Sequence, residues 1–328
     1  MNPADTPRSN TALVVRVDAR QCEVLLDGDI RPALLRGRLF EERGSDKSPV
    51  AVGDSVTISY ENDDIAIDAV QERRNVFSRR VAGEDYDLRQ VLATNVDQVL
   101  VVNSVDVPPF SSIVADRILT TCSFAGIPSV LVLNKIDRAK PRKLERIRSS
   151  YTAAKIEVLL TSAVTGEGIE SLLAVLRDQT SVLYGLSGVG KSTLMNYIDP
   201  TLKLETRETS NSLMSGRHTT SHSRWYPLAV GGAVIDTPGV RKFRPFGIPP
   251  HELRLHFAEM LELGSGCRFP ACLHRDEPGC KVIEARDHGD LALSRYRSYL
   301  ELLEELESVY GGTGRNEVKD GPDHKARR

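Results

Sequence analysis

Two stretches of this chain carry residue types whose spacing could do chemistry at one site. GLSGVGKS, residues 185–192, fits the pattern GxxxxGK[ST]. In such a loop Gly185, Gly188 and Gly190 let backbone N–H groups turn onto phosphate oxygens, Lys191 reaches the terminal phosphates and Ser192 can ligate Mg2+. Leu186, Ser187, Val189 and Thr193 complete the run that would wrap the phosphates. The loop does not choose between adenine and guanine, but NKID, residues 134–137, does. Asp137 can accept hydrogen bonds from guanine N1 and N2; adenine lacks those donors and would leave a desolvated carboxylate unpaired. Asn134 would brace this loop and the Lys135 stem would cover the base. Thr161, Ser162 and Ala163 follow the next strand, with the Ala163 N–H suited to contact guanine O6.

DTPG, residues 236–239, adds the remaining parts of a nucleoside triphosphate site: Asp236 would hold Mg2+ through water and the Gly239 N–H would sense the γ-phosphate. Between this and the phosphate loop lies the polar stretch SGRHTTSHS, residues 215–223. Thr220 is the expected mobile threonine reaching Mg2+ and γ-phosphate, with Thr219 as the rival. Many GTPases place a water-orienting glutamine directly after the DxxG glycine; here Val240 stands there. Further on, CRFPACLHRDEPGC spaces Cys267, Cys272, His274 and Cys280 as C-x4-C-x-H-x5-C. Three thiolates and one imidazole make a closed tetrahedral set for one structural zinc ion per chain, with no open position for catalysis. A disulfide plus a spare thiol is the alternative. Cys22 and Cys122 lie in apolar contexts and read as core residues.

The elements that must position these residues follow from the hydrophobic pattern. TALVVRV, CEVLLDG, DSVTISY and IAIDAV over residues 11–70 are short strands separated by turns, enough for a small barrel of OB type. From residue 95 the apolar runs VDQVLVV, PSVLVLNKID, IEVLLTSA, SVLYG and AVIDTPG suit strands covered on both faces, hence a parallel α/β sheet. Ile169, Leu172, Leu173 and Leu176 place one buried stripe on a helix over 167–178, and Leu291, Tyr296, Leu300 and Leu303 suggest another helix. The expected organisation is a disordered N-terminus over 1–10, an OB-fold domain over 11–72 and a linker over 73–94. A GTPase domain over 95–245, a zinc-binding helical domain over 246–310 and a disordered polar tail over 311–328 follow.

Charge is nearly balanced, with 43 Lys and Arg against 45 Asp and Glu, so any nucleic-acid contact must use local patches. Residues 1–80 hold 12 basic and 14 acidic side chains, yet the cations cluster at Arg31, Arg36 and Arg38 and again at Arg73, Arg74, Arg79 and Arg80. Such clusters could meet RNA phosphates. No membrane contact is expected, since no run of 18 apolar residues or signal-peptide core occurs, and a cytoplasmic location is expected.

The motifs stand in a rotated order: NKID, TSA, phosphate loop, threonine loop, DTPG. Cutting a closed arrangement elsewhere and joining its old ends preserves the site, because those ends lie close together. Order and flanking barrel together resemble the circularly permuted, ribosome-associated GTPases of the RsgA type over roughly residues 10–305. The resemblance implies GTP hydrolysis serving maturation of the small ribosomal subunit, with the subunit and its rRNA as partners, a monomeric chain and zinc at the four ligand positions. It also implies that the histidine before the switch threonines, here His218, positions the attacking water; a solvent-facing loop histidine is the alternative. GTP would fix an arrangement that binds the immature subunit, and hydrolysis would release it. Since DTPG leads directly into the cysteine region, a γ-phosphate-dependent shift could move a whole domain. Two other functions remain open at this level: an RNA-binding module with a structural nucleotide, and a P-loop ATPase.

Overall fold

The computed structural model describes residues 10–18, 21–61, 64–81, 88–202, 204, 223–237 and 243–313. His218, Thr219, Thr220 and Gly239 lie outside the described residues, as do the N-terminal nine residues and the tail beyond residue 313. The chain divides into two compact units, one ending at Phe246 and one beginning at Gly247.

The first unit opens with β1 (Thr11–Val17), β2 (Gln21–Leu26), β3 (Asp29–Leu35), α1 (Gly37–Glu42), β4 (Ser55–Glu61) and β5 (Asp64–Val70). They run in the order β1-β2-β3-β5-β4, and β4 pairs with β1 to close the barrel. Alternation supplies the core: Val14, Val24, Val56 and Ile67 are completely buried inside it. The strand β3 escapes the hydrophobic pattern because Ala33 is its one buried residue and Pro32 interrupts it.

Residues 73–94, read from the sequence as a linker, contain instead the antiparallel ribbon β6 (Val76–Arg80) and β7 (Arg89–Thr94). Phe77 of this ribbon packs with Tyr184 and Phe243 at ring-centroid distances of 5.5 and 5.9 Å in the core of the α/β region. Buried charge ties the ribbon to the barrel. Asp54, fully buried, accepts from Arg73 Nε and Nη2, each at 2.8 Å, and from Thr94 Oγ1 at 2.8 Å. Asp46 accepts from Arg89 Nε at 2.6 Å and from Arg73 Nη1 at 3.2 Å.

The α/β region continues with β8 (Gln98–Ser104), α2 (Ser112–Phe124), β9 (Ser129–Asn134), α3 (Pro141–Ala153), β10 (Glu157–Leu160), α4 (Ile169–Leu176), β11 (Thr180–Tyr184), α5 (Lys191–Ile198), β12 (Arg224–Pro227) and β13 (Ala233–Asp236). Its strand order is β10-β9-β8-β11-β13-β12, parallel except for β12, which bridges to barrel strand β1 at Arg16 and Arg224. All seven residues of β8 are buried, as a strand covered by helices on both faces requires. The α4 helix hands over to β11 across Arg177–Gln179, the short join that rotates the usual strand order.

The second unit holds α6 (Ala258–Gly264), α7 (Lys281–His288) and α8 (Leu293–Thr313). In α8 the buried stripe is Tyr296, Tyr299, Leu302, Leu303 and Leu306. The expected stripe was displaced: Leu291 precedes the helix and Leu300 is only half-buried, because the helix starts two residues later and turns Tyr299 inward. No helix among the described residues is long and apolar enough to cross a membrane.

Candidate nucleotide site and metal centre

The sequence motifs meet at the carboxyl edge of the parallel sheet, where α/β folds bind ligands. β9 ends at Asn134, β10 at Leu160, β11 at Tyr184 and β13 at Asp236, and the register sets Leu183 beside Asp236 and Ser104 beside Asn134. The glycine-rich loop after β11 turns through Gly188 and Gly190, at φ +83° and +98°, into the start of α5 at Lys191.

The base loop is fastened directly onto the phosphate loop. Asn134, almost fully buried, donates from Nδ2 to the Val189 carbonyl at 2.9 Å and accepts from Thr161 Oγ1 at 3.3 Å. Lys135 Nζ donates to the Gly188 carbonyl at 2.6 Å and to the Val107 carbonyl at 2.8 Å. A Cβ on Gly190 would sit 2.4 Å from Asn134 Nδ2, so the two loops touch only because that position is glycine. Lys135 itself adopts φ +62°, a left-handed conformation that this double anchoring sustains.

Ser162 Oγ donates to Asp137 Oδ1 at 2.6 Å, fixing one carboxylate oxygen of a side chain that is 18% exposed. The same hydroxyl accepts from the N–H groups of Val164 and Thr165 at 3.3 and 3.2 Å. The Ala163 N–H has no acceptor among the described residues. Sequence reasoning missed Gly168, at φ +72°, whose added Cβ would lie 1.8 Å from the Leu160 carbonyl oxygen. The doublet GEG before α4 was its available signal. It missed Val107 too, whose only contribution is a carbonyl and which no side-chain pattern reveals.

Lys191 is buried and donates from Nζ to the carbonyls of Gly185 and Leu186 at 2.8 and 3.3 Å. Burial lowers its pKa, offset in part by Asp236. Burial raises the Asp236 carboxyl to about 6 against the pull of Lys191 and the Thr237 N–H. Asp236 Oδ1 is a buried acceptor with no hydrogen-bond partner among the described residues. Ser192, the next residue after Lys191, is half-buried, whereas Ser187 and Thr193 are exposed.

In the second unit the ligand atoms of Cys267, Cys272, His274 and Cys280 lie within 4.8 Å of one another. His274 Nδ1 is 3.6 Å from Cys267 Sγ and 3.4 Å from Cys280 Sγ, and these two sulfurs are 3.8 Å apart. All five cysteines are free thiols, so the alternative of a disulfide is not what the chain forms. Glu277 clips the ligand loop by accepting from the N–H groups of Leu273 and Arg275 at 2.6 and 2.7 Å. Tyr296 and Tyr299 donate their hydroxyls to the carbonyls of His274 and Leu273 at 2.7 and 2.9 Å. The four side chains form a cluster that could hold a metal ion, with α8 supporting its loop.

The arginine clusters fare differently. Arg73, Arg79 and Arg80 are turned inward: Arg73 onto Asp54 and Asp46, Arg79 onto Gln90 at 2.8 Å, and Arg80 over the Phe246 ring at 5.8 Å. Arg36 is paired with Asp68 and Glu61. Arg73, Arg79 and Arg80 are thus internal fastenings, whereas Arg31, Arg38 and Arg74 of the same clusters stay exposed.

Fold and site together define a circularly permuted P-loop GTPase with an OB-like barrel ahead of it. The RsgA GTPase family model matches residues 70–245, more than half of the chain. The chain belongs to that family. The small ribosomal subunit biogenesis GTPase RsgA of Chlorobaculum tepidum is 39% identical over 285 residues, covering 84% of this chain and 91% of its own length. The crystal structure of YjeQ from Thermotoga maritima aligns with a TM-score of 0.69 at 31% identity, over 90% of this chain and 98% of its own. That of YloQ, described as a circularly permuted GTPase, aligns at 0.67 and 26% identity over 94% and 98%.

Proposed function

We propose that this GTPase binds GTP between the base loop and the phosphate loop, acts in maturation of the small ribosomal subunit, and leaves that subunit on hydrolysis. The bonds from Asn134 and Lys135 to the Val189 and Gly188 carbonyls carry the nucleotide reading, because they join the base side to the phosphate side. Asp137, with Ser162 behind it and the Ala163 N–H beside it, reads guanine; the loop Gly185–Thr193 wraps the phosphates; Lys191 exchanges its loop carbonyls for phosphate oxygens. Mg2+ when bound would neutralise phosphate charge, held by Ser192 and, through water, by Asp236, whose orphaned buried oxygen fits a dication. Thr220 or Thr219 would complete its ligands and Gly239 would contact the γ-phosphate.

With Val240 in place of a glutamine, unassisted turnover is slow, and subunit binding brings His218 to bear on water. Zinc is the metal that three thiolates and one imidazole favour: bonds of about 2.3 Å to sulfur and 2.0–2.1 Å to nitrogen give tetrahedral edges of about 3.8 and 3.6 Å, near the 3.8, 3.6 and 3.4 Å spacings within the cluster. The barrel over 11–72, the GTPase domain over 95–245 and the zinc-bearing segment over 246–310 are its working parts in a monomeric cytoplasmic protein. Family membership and the names of the relatives support the ribosomal role. GTP turnover with and without purified small subunits tests it. Stimulation is expected, and equal rates, or ATP bound as tightly as GTP, would reject the reading.

A further inference from the structure

Among the described residues, a concentrated unneutralised charge lies outside every motif. Residues 138–150, RAKPRKLERIRSS, contain six cations and one acid, a net of five positive charges in a chain whose total is −2. The fold explains how they are displayed. Ile147 and Tyr151 are buried on the inner face of α3, with Leu144 packed beside them. The helical period then throws Arg142 and Arg146 outward, one turn apart, at about 6 Å between their Cβ atoms.

Lys143, on the flank, is spent on Asp106, and Arg148 reaches Glu145 at 3.6 Å. Arg138 lies 3.8 Å from Asp137, close to the limit of an ion pair. Lys140, Arg142 and Arg146 are exposed and have no acidic partner among the described residues. In the two arginine clusters that the sequence offered, Arg31, Arg36, Arg73 and Arg74 pair with carboxylates and Arg79 and Arg80 are buried, leaving Arg38 exposed on a backbone carbonyl, so α3 groups more free cations than either cluster among the described residues.

We infer that the outer face of α3, with Lys140, Arg142 and Arg146 at its centre, is a docking surface for the phosphate backbone of RNA. The occupant follows from charge complementarity: an overall acidic protein gains nothing from RNA except through a local cationic face, and arginine pairs with phosphate bidentately. The inference rests on the ribosomal reading above and names the helix that makes the contact.

The test is the double variant Arg142→Gln/Arg146→Gln in the full chain, measured for affinity to purified small subunits and to naked small-subunit rRNA across 50–200 mM salt. Losing two phosphate contacts should weaken binding roughly 10- to 30-fold near physiological salt and reduce the slope of log affinity against log salt by about 1.5–2. GTP affinity and basal turnover should stay unchanged, since neither side chain touches the nucleotide loops. Unchanged RNA affinity and slope would overturn the inference while leaving the ribosomal reading intact. Weakened subunit binding with rRNA binding unaltered would make the partner a ribosomal protein and also overturn it. A wild-type chain that bound neither would overturn both readings.

Discussion

Replacing Asn134 probes the joint on which the nucleotide site depends. Its Nδ2 is the donor to the buried Val189 carbonyl and its Oδ1 accepts from Thr161. Alanine removes both bonds in a site that water does not reach. A buried carbonyl left without a donor costs about 1–3 kcal/mol, and the Thr161 hydroxyl can rotate to another acceptor, so a destabilisation of about 2–3 kcal/mol follows. At about 2–4 °C per kcal/mol for a large domain, the melting midpoint should fall by roughly 4–12 °C. The Val189–Gly190 turn also loses its brace and must be reordered on binding, a separate cost of about 2 kcal/mol that would give a roughly 30-fold higher Kd for GDP.

Asn134→Asp separates hydrogen bonding from shape. It fills the same volume but sets a carboxylate oxygen against the Val189 carbonyl, so it should be worse than alanine in both measurements. Thermal unfolding and titration calorimetry on the three proteins decide the matter. If Asn134→Asp binds GDP like the wild type and melts at the same temperature, the two loops are not coupled through this side chain.

Burial raises the Asp236 carboxyl to about 6 from 3.8, so its contribution to stability is fully present below pH 3.8 and is lost as pH rises through about 6. Nucleotide-free Asp236→Asn should therefore be more stable than wild type at pH 7.5, by up to about 3 kcal/mol, with the gap closing toward pH 4; urea unfolding at several pH values checks this, and hydrolysis should be lost. On the zinc reading proposed above, chelation, or Cys272→Ser, should remove one zinc per chain by atomic absorption and unfold the second unit first, seen as early proteolysis after Phe246, since a short loop-rich segment would draw folding energy from a bound metal. Gly168→Ala, forcing a Cβ to 1.8 Å from the Leu160 carbonyl oxygen, should cost about 3 kcal/mol or more and raise the Kd for GTP by displacing Ser162 and Ala163.

The site was legible where chemistry restricts residue type and keeps the residues adjacent. A phosphate loop needs its glycines, lysine and serine at fixed spacing, and guanine recognition needs an acid and an asparagine on one short loop, so GLSGVGKS and NKID speak for themselves. The order of these motifs also exposed the permutation. Where only part of a strand is buried the pattern failed: β3 buries Ala33 alone, and the ribbon of β6 and β7 passed for a linker because its pairing crosses an intervening loop.

What the sequence determined by itself was the family and the candidate donor sets, because those residues lie close together in the chain at spacings their chemistry restricts. Tertiary structure decided which charges remain free to act outside. Arg73 finds Asp54 and Asp46 only after β4, β6 and the loop before them come together, while Arg142 and Arg146 meet no acid because α3 turns its apolar side to the sheet. Charge is local in the chain, but its neutralisation depends on residues brought near by folding, and linear spacing says nothing about that distance.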